Sequence, residues 1–417
     1  MFRHLAISRL FSPGGKLRTV DYLERYQGVF YSIDRIYRFL DALCRRRDET
    51  RGSKPETDIK AEVEQISFEH TKRVLRGRIA VAFYDMTTLY FEASEEDDLR
   101  KTGFSKDGKH QRPQIFLGLL AASGGNPIGY EIFEGNIFEG HAFIPALQNI
   151  EKKFSLGKPI VVADSGLLSE SNRESLESGG YQYILGARIK NSKDALKEKI
   201  LSLNLQDSKA KAIRQGNGAR LIVSMSDKRA GKDRRNREKG LSRLQKRIKS
   251  GKLTKANINN RGYNKFLKLD GEIKIAIDEK MLAADALWDG LKGYLTNTGL
   301  PARKVIDNYN NLWYIERAFR MNKTDLRIRP IYHHLRNRIE GHICICFAAY
   351  TVMLEMERML KKEKSLMTLN RAQEITKTMY QMIYKLPESR TVKTKILGMN
   401  GEQQELYDMI CRWINKK

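Results

Sequence analysis

The sequence predicts an α/β chain: a mixed sheet with flanking helices, a helical region before it, a basic β-rich insertion within it and further helices after it. Three observations predict this. The runs GRIAVAFYD (77–85), QIFLGLLAAS (114–123) and KPIVVAD (158–164) have the length and β-former content of buried strands. Segments with helical spacing alternate with strand-like runs from residue 141 onward, as when helices pack on a sheet. Lys and Arg then crowd 227–249, eleven against three Asp and Glu.

The 417 residues suffice for two or three domains, and 41% hydrophobic content excludes a disordered chain. The 76 Lys and Arg outnumber 50 Asp and Glu, giving +26. Such an excess points to a polyanionic partner, although a ribosome or an anionic membrane surface would account for the same number. Cys44, Cys344, Cys346 and Cys411 form no CxxC pair, which argues against a zinc module or a disulfide framework and for a reducing cytosol. The longest apolar run, 343–354, is too short for a bilayer, and residues 1–11 lack a signal-peptide core and cleavage site. A cytoplasmic protein with no membrane partner is expected.

Residues 1–75 read as a small basic helical domain. In YSIDRIYRFLDALCRRR (31–47), Ile33, Ile36, Tyr37, Leu40 and Leu43 form one stripe. Residues 76–190 read as strands 77–85, 114–123 and 128–135, a helix at 141–154, a strand at 158–164, a helix at 168–179 and a strand at 181–188. SGGNP (123–127) is the turn of the first hairpin. The insertion spans 191–300, with strands expected at 219–226, 264–270, 272–278 and 289–298. Residues 301–360 are helical around an apolar helix at 343–359, and 361–417 form a helical C-terminal region.

Two strands end on a carboxylate. VAFYDMTTLYFEA (81–93) sets Asp85 after an apolar run, and KPIVVADSGLLSESN does the same with Asp164. Asp is disfavoured within strands and rarely buried without a partner. Asp85 is either a strand end accepting hydrogen bonds from the next turn or a metal ligand. Open sheets carry their sites beyond the carboxyl ends of strands, and two such aspartates favour the ligand reading. A third acid is Glu316: Tyr309, Trp313, Glu316, Arg320 and Lys323 recur at spacings of four, three, four and three, one helical face. The plain alternative is an exposed i,i+4 pair of Glu316 with Arg320, worth a few tenths of a kcal/mol.

Asp85, Asp164 and Glu316, in this order and with a long insertion before the Glu, resemble the DDE transposases of bacterial insertion sequences, which have an RNase H-like catalytic domain. The chain is most similar to the branch with a β-rich insertion and the signature Tyr-x2-Arg-x3-Glu-x6-Lys. Here that signature falls on Tyr309, Leu312, Glu316 and Lys323, with Leu312 at the Arg position and Arg317 or Arg320 as candidate substitutes. ADSGLLSESN, YILGAR and RIRPIYHHLRNRIEGH also resemble this branch, and the likeness covers about residues 77–350.

The resemblance implies a transposase that cleaves terminal inverted repeats and strand-transfers the ends into target DNA, with hairpin ends one route. It implies a DNA-end-binding role for 1–75, a homodimer in the DNA complex, and a nucleoid-associated location. It also implies two Mg²⁺ ions (Mn²⁺ as the alternative) held by Asp85, Asp164 and Glu316, with Asp85 bridging. Two divalent ions about 3.5–4 Å apart can activate the attacking oxygen and neutralise the leaving one. Hard cations take oxygen ligands, and the lack of Cys or His clusters suits Mg²⁺ better than Zn²⁺.

Tyr309 and Lys323 are expected to hold a phosphate, and Arg234, Arg235 and Arg237 of the basic run to contact the DNA backbone, with affinity falling steeply with salt. Trp288 and Trp313 are expected in packing rather than base stacking, and Thr87 and Thr88 in structural roles. His333 and His334 are expected at the DNA backbone or in packing, and His342 against the apolar helix. The competing functions are an RNase H-like nuclease or resolvase without strand transfer, and a non-catalytic DNA-binding protein.

Overall fold

The computed structural model describes residues 1–44, 59–251, 253, 257–259, 262–270 and 274–415. Residues 45–47 of the amphipathic stripe and 272–273 of an expected strand lie outside them. Two compact units result, Met1–Pro159 with Leu312–Lys417, and Ile160–Asn311.

The first unit begins with α1 (Phe2–Phe11), α2 (Lys16–Gln27), α3 (Ile33–Leu43) and α4 (Ile59–Val74), then β1 (Val81–Tyr90), β2 (Gln114–Ala122), β3 (Pro127–Glu134) and α5 (Glu139–Phe154). The second unit holds β4 (Ile160–Ala163), α6 (Glu170–Ser178), β5 (Tyr183–Ala187), α7 (Asp194–Leu201), β6 (Ala210–Arg214) and β7 (Arg220–Met225). It continues through α8 (Asp227–Lys249), β8 (Leu267–Asp270), β9 (Lys274–Ile277), α9 (Glu279–Ala286), β10 (Leu291–Thr296) and α10 (Ala302–Asn310). The first unit resumes with α11 (Trp313–Arg320), α12 (Arg336–Lys362), α13 (Leu369–Lys377), β11 (Gln381–Lys385), β12 (Val392–Ile396) and α14 (Gly401–Asn415).

In the first unit β1, β2 and β3 form an antiparallel meander. Every residue of β2 is buried, so its continuous apolar run serves both faces. Tyr84 meets Phe143 of α5 with ring centroids 5.0 Å apart, and Phe83 meets Tyr314 of α11 at 6.2 Å. Successive strand residues point to opposite faces, so α5 and α11 cover opposite sides of β1. The N-terminal helices bury Leu5, Leu23, Ile36, Leu40 and Leu43 against Cys344 and Ile345 of α12. The cysteines of the apolar helix are thus packed thiols.

In the second unit the strand order is β4-β5-β10-β7-β6. The β4–β5 pair is parallel and the others are antiparallel. Ile189, Ile200, Ile213, Leu221, Val223 and Trp288 form its core.

Four local readings change. β1 does not stop at Asp85 but runs five residues beyond it, since Met86, Thr87, Thr88 and Leu89 are buried β-compatible residues and Asp85 itself pairs with Leu119. The basic run is a 23-residue helix, α8. Its Lys, Arg and Leu are good helix formers, Ser226 caps it by accepting from the Arg229 amide, and Leu244 is buried beside Phe266. The presumed single helix over 309–323 is divided at Asn311 and Leu312 into α10 and α11, and Lys323 falls in a π-turn after α11. The C-terminal region is not wholly helical, because β11 and β12 form an exposed hairpin. Among the described residues no helix is long and apolar enough to cross a membrane.

Candidate active site

Asp85 is the one interior position of β1 that is not buried, and its side chain is 25% exposed. Its Oδ1 accepts from the Met86 amide at 2.7 Å and lies 3.8 Å from Lys106 Nζ. Lys106 also pairs with Glu139 at 2.8 Å and donates to the Met86 carbonyl at 2.6 Å. A tight turn presents this lysine: Ser105 Oγ accepts from the amides of Asp107 and Lys109, and Gly108 takes a left-handed φ of 72°. Sequence reading passed over Lys106; the Ser-Lys-Asp-Gly turn was the available signal.

Asp107 of the same turn pairs with Arg329 and with Lys323, at 3.4 Å. Lys323 is therefore engaged with a carboxylate. Burial lowers its pKa, and Asp107 offsets part of that effect.

Glu316 is exposed on α11 and has no ion pair or hydrogen bond among the described residues, so the i,i+4 pair with Arg320 does not form. Ile315, Ala318 and Phe319 anchor this helix in the core. Phe83 touches α11 and shares its strand face with Asp85, two residues on. The first unit thus carries Asp85 on the face that the Glu316 helix covers. Arg317 turns away to Glu357 of α12 at 2.8 Å. Leu312, where the signature has Arg, is 8% exposed and precedes α11 as a buried apolar residue. Arg320 remains exposed.

Asp164 belongs to the second unit, exposed immediately after β4, whose last three residues are buried. Tyr309 of α10 donates its hydroxyl to Asp164 Oδ1 at 2.8 Å. Burial, then the adjacent carboxylate, pushes the phenol pKa well up, so Tyr309 stays a protonated donor. Gly186 of β5 makes the approach feasible. A Cβ there would lie 2.4 Å from the Tyr309 hydroxyl and 2.9 Å from the Ser165 amide nitrogen. Beside this pair opens a cavity of ≈450 Å³ that Arg188, Lys190, Arg229 and Lys292 line together with Asp164. Lys292 Nζ lies 4.3 Å from the Tyr309 ring centroid. Lys190 is paired with Asp285 at 3.0 Å and Arg229 with Asp233 at 3.7 Å, while Arg188 is exposed at the cavity and suits a phosphodiester backbone. Within YILGAR, Gly186 and Arg188 are the residues that sequence reading left without a role.

The remaining candidates divide by burial. Trp288 is 9% exposed within the second unit's core, whereas Trp313 is 47% exposed and rests on Tyr314. Thr87, Thr88, His333 and His342 are buried, while His334 bonds Arg100 at 3.0 Å. On α8, Arg234 and Arg235 are exposed, but Arg237 forms a two-pronged pair with Asp289 at 2.5 and 2.6 Å.

Three carboxylates with solvent access are suitable donors for a hard divalent cation. Among the described residues no three His, Cys, Asp or Glu side chains form a preassembled metal cage.

Fold and side chains together define a mixed α/β protein whose accessible acids sit among cations. The family model of the transposase DDE domain matches residues 76–352, and the chain belongs to that family. The architecture is mixed α/β, as the sequence predicts. Among solved structures the chain is similar to a piggyBac transposase in a synaptic complex with hairpin DNA, at 10% identity and TM-score 0.43, over 90% of this chain and 79% of that one. It is also similar to the catalytic domain of Mos1 mariner transposase, at 12% identity and TM-score 0.19, over 30% and 57% of the two chains. A Mos1 paired-end complex with the left transposon end gives 14% identity and TM-score 0.19, over 44% and 57%. The comparison with curated proteins gives no match.

Proposed function

We propose that this chain is a transposase that cuts DNA at the terminal inverted repeats of its element and joins the freed 3′-ends to target DNA. The observation that carries this reading is the solvent access of three acids: Asp85 as the one interior residue of β1 that is not buried, Asp164 directly after the buried end of β4, and Glu316 on a helix anchored by Ile315, Ala318 and Phe319. These three would hold two Mg²⁺ ions, whose bound chemistry is activation of the attacking oxygen and neutralisation of the leaving one. Tyr309 is a positioning residue that orients the Asp164 carboxylate through its hydroxyl. Arg188 and Lys292 hold the sugar–phosphate backbone beside Asp164, Lys190 and Arg229 being paired with Asp285 and Asp233, and Arg234 and Arg235 extend that contact along α8. Lys106 balances the charge of Asp85 and Glu139. The 1–75 region binds element ends, and pairing of two ends requires a homodimer.

The test is incubation with DNA carrying the element's own ends and Mg²⁺, followed by mapping of cut and joined products. Asp85→Asn, Asp164→Asn and Glu316→Gln are expected to abolish cleavage and leave DNA binding within about twofold, since no backbone cation is removed. Cleavage retained in any one removes that residue from the site. Cut ends without joined product establish a nuclease instead.

A further inference from the structure

A second basic cavity lies wholly within the first unit and includes none of the proposed metal ligands. It has a volume of ≈180 Å³ and is bounded by Arg9, Lys16, Tyr37, Arg327, His333 and His342, with no carboxylate in its lining. Arg9 is only 5% exposed, yet it has no acidic partner among the described residues. Its Nη1 donates to the carbonyls of Leu326 and Arg327 at 3.4 Å, and its Nη2 meets His342 Nδ1 at 3.2 Å. The other ring nitrogen, His342 Nε2, lies 2.9 Å from the Ile328 carbonyl. A carbonyl only accepts, so Nε2 carries the proton and Nδ1 accepts from Arg9. A buried guanidinium is thus held by neutral acceptors alone, which leaves its charge uncompensated.

Two further groups face the same space. Lys16 opens α2 after Pro13-Gly14-Gly15, and Gly15 caps that 12-residue helix without a side chain, so first-turn amides lack an intrahelical acceptor. Lys16 has no ion pair among the described residues, and burial together with Arg9 pushes its pKa down to about 7. His333 is 7% exposed and lines the cavity. It makes ring contacts with Tyr37 and His342, but among the described residues neither of its nitrogens has a hydrogen-bond partner. Burial, then the charges of Lys16 and Arg9, holds its pKa near 3. Arg327 stands exposed at the rim, and Arg329, also in the lining, is tied to Asp107.

We propose that this cavity binds a phosphate group, belonging to a nucleic-acid backbone or to free phosphate. A cation is excluded by the charges already present. A phosphate supplies several acceptor oxygens at once for a guanidinium fork, an ammonium, helix-terminal amides and an imidazole N–H. Its charge answers the missing counter-ion of Arg9. None of its residues belongs to the proposed metal chemistry, but Arg9, Lys16 and Tyr37 lie in the 1–75 region assigned to element ends, so the DNA arm of the test rests on that reading and the free-phosphate arm does not.

The test uses the full chain and its Lys16→Gln, Lys16→Arg and Arg327→Gln variants. Thermal unfolding is followed with inorganic phosphate against chloride at equal ionic strength, and duplex DNA affinity is followed against salt. Wild type and Lys16→Arg are expected to be stabilised by phosphate, and Lys16→Gln to need about tenfold more. Lys16→Gln is also expected to lower the salt slope for DNA by about one, the change for one lost phosphate contact. Loss of the phosphate response alone identifies free phosphate as the ligand, and loss of slope alone identifies the DNA backbone. Arg327→Gln, on an exposed side chain, gives the same reading should Lys16→Gln not fold. If both variants match wild type in both measurements, the proposal is overturned.

Discussion

Replacing Gly186 by Ala tests whether the approach of β5 to Tyr309 is what holds Asp164. The added methyl would sit 2.4 Å from the Tyr309 hydroxyl, about 1 Å inside the ordinary contact distance of 3.4 Å. Tyr309 has little room to yield: it is 6% exposed, edge-on to Tyr294 at 5.0 Å, and overlaid by Lys292. Overpacking of this kind costs about 1–3 kcal/mol. Tyr309→Phe removes a hydrogen bond to a charged acceptor, worth about 1.5–3 kcal/mol. Because Asp164 is exposed, water replaces that donor in the folded state, and the stability cost is expected below about 1 kcal/mol. If the orientation matters in the transition state, cleavage falls by about 10- to 150-fold. In the double variant the hydroxyl is gone, and the nearest remaining neighbours of the methyl are Ser165 N at 2.9 Å and Tyr309 Cζ at 3.1 Å. The two costs are therefore expected to be non-additive, with Gly186→Ala at least about 0.5 kcal/mol milder in the Phe background. Urea unfolding of the four proteins and Mg²⁺-dependent cleavage of end-labelled DNA measure both quantities. Additive stability costs, or wild-type cleavage by Gly186→Ala, would refute the reasoning.

Arg237→Ala breaks a pair whose side chains are 12% and 11% exposed, so a loss of about 3–5 kcal/mol is expected, with the salt slope of DNA binding unchanged. The Arg234→Ala/Arg235→Ala double variant should do the reverse: stability within about 0.5 kcal/mol of wild type, and a slope lower by about one to two. Burial works to raise the Glu357 pKa, but hydrogen bonds from Lys361 and Arg317 prevail and hold it below its usual 4.5. Its stabilisation is thus present above about pH 4.5 and lost as pH falls through the lower folded-state value, so Glu357→Gln should unfold with a shallower acid dependence in a pH-resolved melt. Trp288→Ala should cost about 3–5 kcal/mol, while Trp288→Phe should keep cleavage near wild type; a selective cleavage defect in the Phe variant would mean the indole contacts a base.

The legible parts of this chain were those in which local pattern and three-dimensional role coincide. Strands buried on both faces read as apolar runs, and Asp164 and Glu316 lie where the strand end and the helix were expected. Asp85 misled because one polar residue was taken as a terminator. A strand tolerates it when the backbone ladder continues and one side-chain position reaches solvent. The division of 309–323 escaped notice because Asn-Asn-Leu contains neither Gly nor Pro, so helical spacing persisted across a break in the helix. Lys106 had a turn signal but no local sign of its partners Asp85 and Glu139, and Gly186 was invisible because its meaning lies in its approach to the Tyr309 hydroxyl.

The charge excess shows the same limit in sharper form. A count of +26 treats every cation alike. The structure divides them by whether an internal carboxylate already holds them. Arg317, Lys323 and Arg237, three cations that sequence pattern nominated for DNA, are bound to Glu357, Asp107 and Asp289. Arg188 lines the cavity at Asp164 although no local pattern marked it. Arg9 and Lys16 surround a cavity without acids. An ion pair inside the fold must be broken, at a cost, before its cation can serve a phosphate, whereas an unpaired cation gains a partner when the polyanion arrives. Polyanion contact should therefore follow the unpaired cations rather than the densest run of Lys and Arg. Alanine scanning of the salt slope across both groups distinguishes the two orders.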